Sequence, residues 1–176
     1  MSPTLKSCKE VILKVSLTNG RTVLYSRTEM TELVLPGDSN ILGNILGGRV
    51  MHWIDLAAAM TAARHAGQVA VTASIDSLEF LHPIKVGQVV HLVAQINWAG
   101  RTSMEIGVEV FREDLTIADI KKTSTAYLTF VALDASGHPT EIPPLILSTP
   151  EEEARFQAAV TRRAERLRHR QRAQET

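Results

Sequence analysis

The sequence predicts an α+β fold in which one curved antiparallel sheet wraps a single long helix. Three observations point there. A helical run from Gly47 to about Ala66 is apolar at most of its positions, and a helix apolar on nearly every face has to be covered. Strand candidates precede it, and four β segments follow it, in which apolar residues recur at every second position. Short turn signals join neighbouring segments, as antiparallel pairing allows.

In chain order, 11–17 and Arg21 to Tyr25 are short β-prone runs around Asn19-Gly20, a hairpin signal. Residues 1–25 therefore read as an N-terminal extension with a possible hairpin. Arg27 to Leu35 reads as a strand ending at Pro36, and Pro, Gly, Asp, Ser and Asn then cluster as a loop up to Asn44. The long helix follows, with Gly67 placed as its C-cap. In the next segment Val69, Val71, Ala73 and Ile75 share one parity while Leu78 and Phe80 take the other, so a bulge is expected near Asp76. Val90, Leu92, Ala94, Ile96 and Trp98 alternate cleanly, as do Met104, Ile106, Val108 and Val110, and Ala99 to Thr102 joins the two as a hairpin. A charged stretch, Arg112 to Lys122, leads to a last strand around Thr123 to Leu133. The domain so defined is 26–136. Residues 137–149 are a proline-rich connector, and 150–176 are a C-terminal helix and tail. Thr149 as N-cap, Pro150 at the first position, an acidic first turn and Glu152 completing a capping box mark its start. It is expected to run to about Arg172 and to dock through Phe156, Val160 and Leu167. The sheet leaves at least one edge strand over, and such a unit tends to dimerise by joining edges.

The 176 residues carry 19 basic and 19 acidic side chains, a formal net charge of zero. That argues against nucleic acid as a partner, and the arginines of the C-terminal helix read as a solvated surface complementing the helix dipole. Cys8 is the only cysteine, so no intrachain disulfide forms, which fits a reducing compartment. The first residues hold no apolar signal core. The longest apolar-rich run, Val50 to Ala63, is broken by His52, Asp55 and Thr61 and is too short and polar to span a bilayer. A cytoplasmic protein without membrane insertion is expected. No His/Cys spacing for zinc, no Gly-X-Ser-X-Gly elbow and no Gly-Lys-Ser/Thr after the glycines is present, so neither a metal nor another cofactor is expected.

The chemistry concentrates where the loop enters the helix. A helix N-terminus offers unpaired backbone N–H groups and a partial positive charge. Gly47 and Gly48 let a substrate approach them without a side chain in the way, as an oxyanion hole or a phosphate seat requires; tight packing of loop on helix explains the same glycines. Asp55 lies two turns into the apolar helix. A buried carboxylate needs partners, but Arg49, His52 and Asp55 are spaced i, i+3, i+6 and also fit one polar stripe facing water. His52 is placed to tune Asp55. Gly48 to Asp55 spans about 10 Å of helix, and Asn44 precedes the helix. Asn44 and Asp55 of one chain therefore do not reach one substrate atom, and a site using both needs a second chain.

The stretch from Leu33 to His65, with Val71–Phe80, His82–Val90 and Thr102–Phe111, resembles the hotdog-fold acyl-CoA thioesterases, the cytosolic acyl-CoA hydrolase type in particular. The likeness covers roughly Ser26 to Leu133 and extends to the C-terminal helix. It implies a hotdog fold, pairing of two units into one continuous sheet, further assembly into a trimer of dimers, and hydrolysis of acyl-CoA to free acid and CoA. It implies Asn44 and Asp55 as catalytic residues contributed by opposing units, with Gly48 N–H holding the thioester oxygen and Gly47 beside it. Some bacterial members carry Asp at the position of Asn44, which moves the base role to Asp55. Asp55 then serves as general base or as nucleophile. For the phosphates of CoA, Arg101 and Ser103 at the hairpin and Lys121 and Lys122 at the last strand are candidates, each equally explained as solvated surface charge. Two alternatives belong to the same fold: a non-catalytic acyl-CoA-binding module, and an acyl-thioester hydratase or dehydratase. The latter generally uses a loop histidine, and none lies between Thr31 and Met51.

Overall fold

The computed structural model describes residues 20–78 and 80–174. Its elements in chain order are β1 (Arg21–Thr22), the helical turn α1 (Val23–Ser26), β2 (Thr28–Leu33), α2 (Gly47–Ala66), β3 (Ala70–Leu78), β4 (Val89–Ala99), β5 (Ser103–Asp114), β6 (Asp119–Ala132), β7 (Leu145–Ile146) and α3 (Pro150–Gln174). A 3-10 turn, Pro36–Asp38, lies between β2 and α2. Five strands form one antiparallel sheet in the order β2-β4-β5-β6-β3. This is the hotdog arrangement: α2 lies along one face of the sheet, with β2 and β3 at the edges.

The period-2 and period-3.6 patterns meet in one core. Val50, Ile54, Ala57, Ala58 and Ala62 of α2 pack with Leu92, Ala94, Ile96, Ile106, Val108, Ala126, Leu128 and Phe130 of the sheet. The alanines let the helix backbone lie close to the strands, and the large side chains come from the sheet. Gly67 ends α2 at φ 72°, a left-handed cap whose N–H bonds the carbonyl of Ala63 at 2.8 Å. The parity change in β3 appears as register shifts between Thr72 and Ser74 and between Ile75 and Ser77.

Several expectations need correction. The run 11–17 lies outside the described residues. Arg21 to Tyr25 is not a strand: only Arg21–Thr22 pairs, in parallel with β7 inside the proline-rich connector, and a helical turn follows. Thr22 caps that turn, its hydroxyl accepting from the N–H of Tyr25. Arg21 donates to the carbonyls of Arg64 and His65 at 2.6 and 2.8 Å, satisfying the C-terminal end of α2. Val23 and Ile142, on either side of the 26–136 span, also belong to the core. The charged stretch is mostly strand: the β5–β6 ladder continues to Asp114 opposite Asp119. Its charges pair across the strands, Glu109 with Lys122 at 2.5 Å and Arg112 with Asp119 at 2.9 Å. Nor is α2 covered on every face. Met51, Leu56 and Met60 are each about two-fifths exposed in the chain by itself.

Helix α3 lies against the other face of the sheet. Of its three expected docking residues, Phe156 is half-buried, while Val160 and Leu167 are each about two-fifths exposed. Leu167 lines a cleft between the helix and the sheet, and Ala159 is fully buried. Arg162 donates twice to the buried carboxylate of Glu105, at 2.6 and 3.3 Å, and stacks 3.7 Å from the ring of Tyr127. Arg166 pairs with Asp76 of β3. The N-cap is as expected in kind, with Thr149 accepting from the N–H of Glu152 at 3.2 Å. The Glu152 carboxylate reaches back to the N–H of Ser148, one residue beyond the cap.

Candidate active site

The loop before α2 is held by its own polar side chains. The buried Asp38 accepts from the N–H of Leu35 at 3.2 Å and pairs with Arg49 at 2.7 Å, tying the 3-10 turn to the first turn of the helix. The side-chain oxygen of Asn40 accepts from the N–H groups of Leu42 and Asn44, at 2.9 and 3.3 Å, closing the tight turn in which Gly43 sits at φ 74°. Asn44 then bridges to Lys85, and the N–H of Ile45 bonds the carbonyl of Ile84 at 2.8 Å. A loop of this composition is thereby fixed against the segment that follows β3.

This arrangement presents the start of α2 to an open cleft. Leu46 at the N-cap has no side-chain acceptor to offer. The N–H of Arg49 bonds the carbonyl of Leu46, and those of Gly47 and Gly48 take no partner among the described residues. Asn44, Ile45, Gly47 and Phe80 to Ile84 line a cleft of about 290 Å³. A Cβ at Gly47 would stand 3.5 Å from the ring of Phe80, and a Cβ at Gly48 would meet nothing within 4 Å. The helix N-terminus is thus bare, polar and approachable, which is what an anionic or polarised oxygen requires.

Asp55 is half-buried on the uncovered side of α2, and its Oδ1 accepts from the hydroxyl of Thr72 at 2.7 Å. Thr72 lies on β3, so this bond sets the open face of the helix beside the sheet edge. Arg49, His52 and Asp55 do share the uncovered side as one polar stripe, within which Arg49 is paired with Asp38 and Asp55 is bonded to Thr72. Asn44 and Asp55 make no contact with each other within the chain. The candidates for phosphate contact are also separated. Arg101 is exposed and faces Glu141 at 3.7 Å, and Ser103 lines a cleft beneath α3. Lys121 and Lys122, paired with Asp119 and Glu109, lie near the opposite end of β5.

Asn40 and Thr72 enter this geometry without having been singled out from the sequence. Asn40 carried the signal of an Asx turn before a glycine; Thr72 carried none, because its partner is seventeen residues away on another element.

The model of the thioesterase superfamily matches residues 42–118. The uncharacterized acyl-CoA thioester hydrolase YkhA of Bacillus subtilis is 40% identical over 141 residues, 80% of this chain and 82% of that protein. The mouse cytosolic acyl coenzyme A thioester hydrolase is 33% identical over 77% of this chain, which spans only 36% of its length. Among solved structures, the acyl-CoA hydrolase of Staphylococcus aureus in complex with butyryl coenzyme A, coenzyme A and coenzyme A disulfide is 35% identical. It superposes with a TM-score of 0.82 over 88% of this chain and 94% of that one. Variants of it with alanine at an aspartate, a threonine and an asparagine have also been solved. A hexameric acyl-CoA thioesterase is 40% identical, with a TM-score of 0.83 over 86% of this chain and 97% of that one. With the sheet order, the central helix and the bare helix N-terminus already matching a hotdog, these likenesses place the chain in the thioesterase superfamily, among the hotdog-fold acyl-CoA hydrolases.

Proposed function

We propose that this chain hydrolyses acyl-CoA thioesters to free acid and CoA, at a site assembled between two copies of itself. The observation that carries the reading is Asp55, a carboxylate on the uncovered side of an otherwise apolar helix, with the hydroxyl of Thr72 donated to one oxygen. The bond leaves the second oxygen for the reaction and orients it. The three residues replaced in the Staphylococcus aureus variants are an asparagine, an aspartate and a threonine, separated by 15 and 17 residues. Asn40, Asp55 and Thr72 have the same residue types at the same separations.

The thioester carbonyl oxygen sits at the start of α2, where the N–H groups of Gly47 and Gly48 and the helix dipole stabilise the charge it gains. Asp55 of the second copy takes a proton from water as water attacks the carbonyl carbon. The C–S bond breaks, and the departing thiolate recovers the proton. Direct attack by Asp55 would pass through an anhydride instead, and one turnover in ¹⁸O-water tests it: ¹⁸O in the enzyme carboxylate identifies the anhydride, hydrolysed at the Asp55 carbonyl, whereas the general-base path puts ¹⁸O only in the acid released. Either way water, a carboxylate and backbone donors suffice, and no cofactor takes part. Two asparagines compete for the role of orienting the thioester or water: Asn44, which lines the cleft, and Asn40, which matches the spacing. The hexameric relative supports a trimer of dimers, and the relatives named cytosolic support a cytoplasmic setting.

The test is thiol release from a panel of acyl-CoAs by the wild type and by Asn40→Ala, Asn44→Ala and Asp55→Ala. Asp55→Ala is expected to lose at least about 100-fold in kcat. The asparagine that acts is the one whose replacement lowers kcat rather than stability. Unfolding that variant together with Asp55→Ala and refolding the mixture restores part of the activity when the two residues come from different copies. Full turnover by Asp55→Ala overturns the assignment.

A further inference from the structure

We propose that Lys85 anchors a phosphate of the CoA portion of the substrate; this rests on the acyl-CoA reading above. The cleft at the start of α2 does not stand alone. A second cleft of about 310 Å³ adjoins it, and the two share His82 and Pro83 as common wall. A chain seated with its thioester at Gly47 and Gly48 and running past Phe80 and Leu81 leaves the first cleft beside these two residues and enters the second.

The second cleft has the charge that a phosphate needs. Lys85, Arg112 and Lys121 face Asp114 and Asp119 there. Asp119 is taken up by Arg112 at 2.9 Å and Lys121 at 3.3 Å. Asp114 accepts from Thr116 at 2.6 Å and from Gln88 at 3.2 Å. Lys85 has no carboxylate partner among the described residues, so the cleft carries one uncompensated positive charge, at its ammonium group. The backbone of Lys85 is held where it is needed: it bridges to Asn44, and its N–H bonds the side chain of Gln88 at 3.0 Å. The same strand-like bridge therefore positions the loop before the helix and the cation one cleft away.

The geometry predicts recognition of the phosphates and indifference to them in the chemical step. The experiment compares an acyl-CoA with the matching S-acyl-pantetheine, which carries no phosphate, in wild type, Lys85→Ala, Lys85→Glu and Lys85→Arg. KM for acyl-CoA is expected to rise roughly fivefold in Lys85→Ala, the worth of one exposed charge pair, and further in Lys85→Glu. Lys85→Arg should recover the wild-type value, and the wild-type advantage should shrink with added salt. KM for the pantetheine substrate should follow the wild type's in all variants. Equal increases for both substrates, or no increase for acyl-CoA, overturns the proposal. Should the wild type release thiol from neither substrate, the hydrolase reading fails by itself. Calorimetric binding of CoA then decides about Lys85, weaker binding by Lys85→Glu supporting the anchor and equal binding overturning it.

Discussion

His65 is fully buried at the end of α2, and its Nε2 lies 3.0 Å from the carbonyl of Pro143. A carbonyl only accepts, so Nε2 carries the hydrogen and Nδ1, which has no partner among the described residues, is bare. Burial pushes the imidazole down to about 4; the Pro143 carbonyl opposes this, and the charge of Arg21 adds to it. Between the unfolded value near 6.5 and about 4 the unfolded chain binds a proton that the folded chain refuses. Stability therefore falls as pH drops through that window, by roughly 3 kcal/mol in all. Urea denaturation at pH 7 and pH 4.5 measures it. The wild type should lose about 2 kcal/mol more than His65→Gln, and equal losses would remove His65 from the account. At this scale the sequence was legible where one residue broke a pattern. Asp55 stood out as the acid in an apolar helix, and Gly67 as a cap. Thr72 and Lys85 did not, because their meaning comes from residues far away in the chain.

The elements that read correctly are those whose partner surface is apolar. α2 and the strands facing it show the periodicity that burial imposes, and their limits fall within a few residues of expectation. α3 shows why the same reasoning fails elsewhere. It packs on the sheet face that carries Asn97, Glu105 and Tyr127, so Arg162 and Arg166 join Ala159 and the half-buried Phe156 on its docked side, and an apolar stripe alone does not mark that side. The Glu105 carboxylate is fully buried, with Arg162 as its charged partner and Asn97 donating at 3.2 Å. The bond and charge of Glu105 hold Arg162 above its ordinary range although burial works against it. Removing one member of such a pair leaves a buried charge alone, which costs about 3–5 kcal/mol. Arg162→Ala should destabilise by about that much in urea denaturation. Val160→Ser should stay within about 0.5 kcal/mol, since its side chain is already exposed. A small effect of Arg162→Ala together with a large effect of Val160→Ser would mean that α3 docks the other way round.

The molecule as a whole is unfinished on one side. Met51, Leu56 and Met60 of α2 and Val71 and Ile75 of β3 are all exposed, and the bond from Thr72 to Asp55 sets that helix face beside that strand. Among the described residues β3 is also an edge, with one row of backbone donors and acceptors unpaired. An apolar face next to an open sheet edge is suited to a second copy of the chain, related by a two-fold axis. The same surface holds Asp55, about 10 Å along the helix from the donors it is proposed to serve. Assembly and catalysis should therefore fail together. Val71→Lys places a charge on the joining edge, a device that natural sheets use against pairing. Sedimentation should find the variant shifted to monomer at micromolar concentration, with its fold intact by circular dichroism, and thiol release should fall in proportion to the dimer lost. Turnover should recover as protein concentration rises. A monomer that keeps wild-type kcat would show that one chain brings all its catalytic groups to one substrate, and the shared site would have to be abandoned.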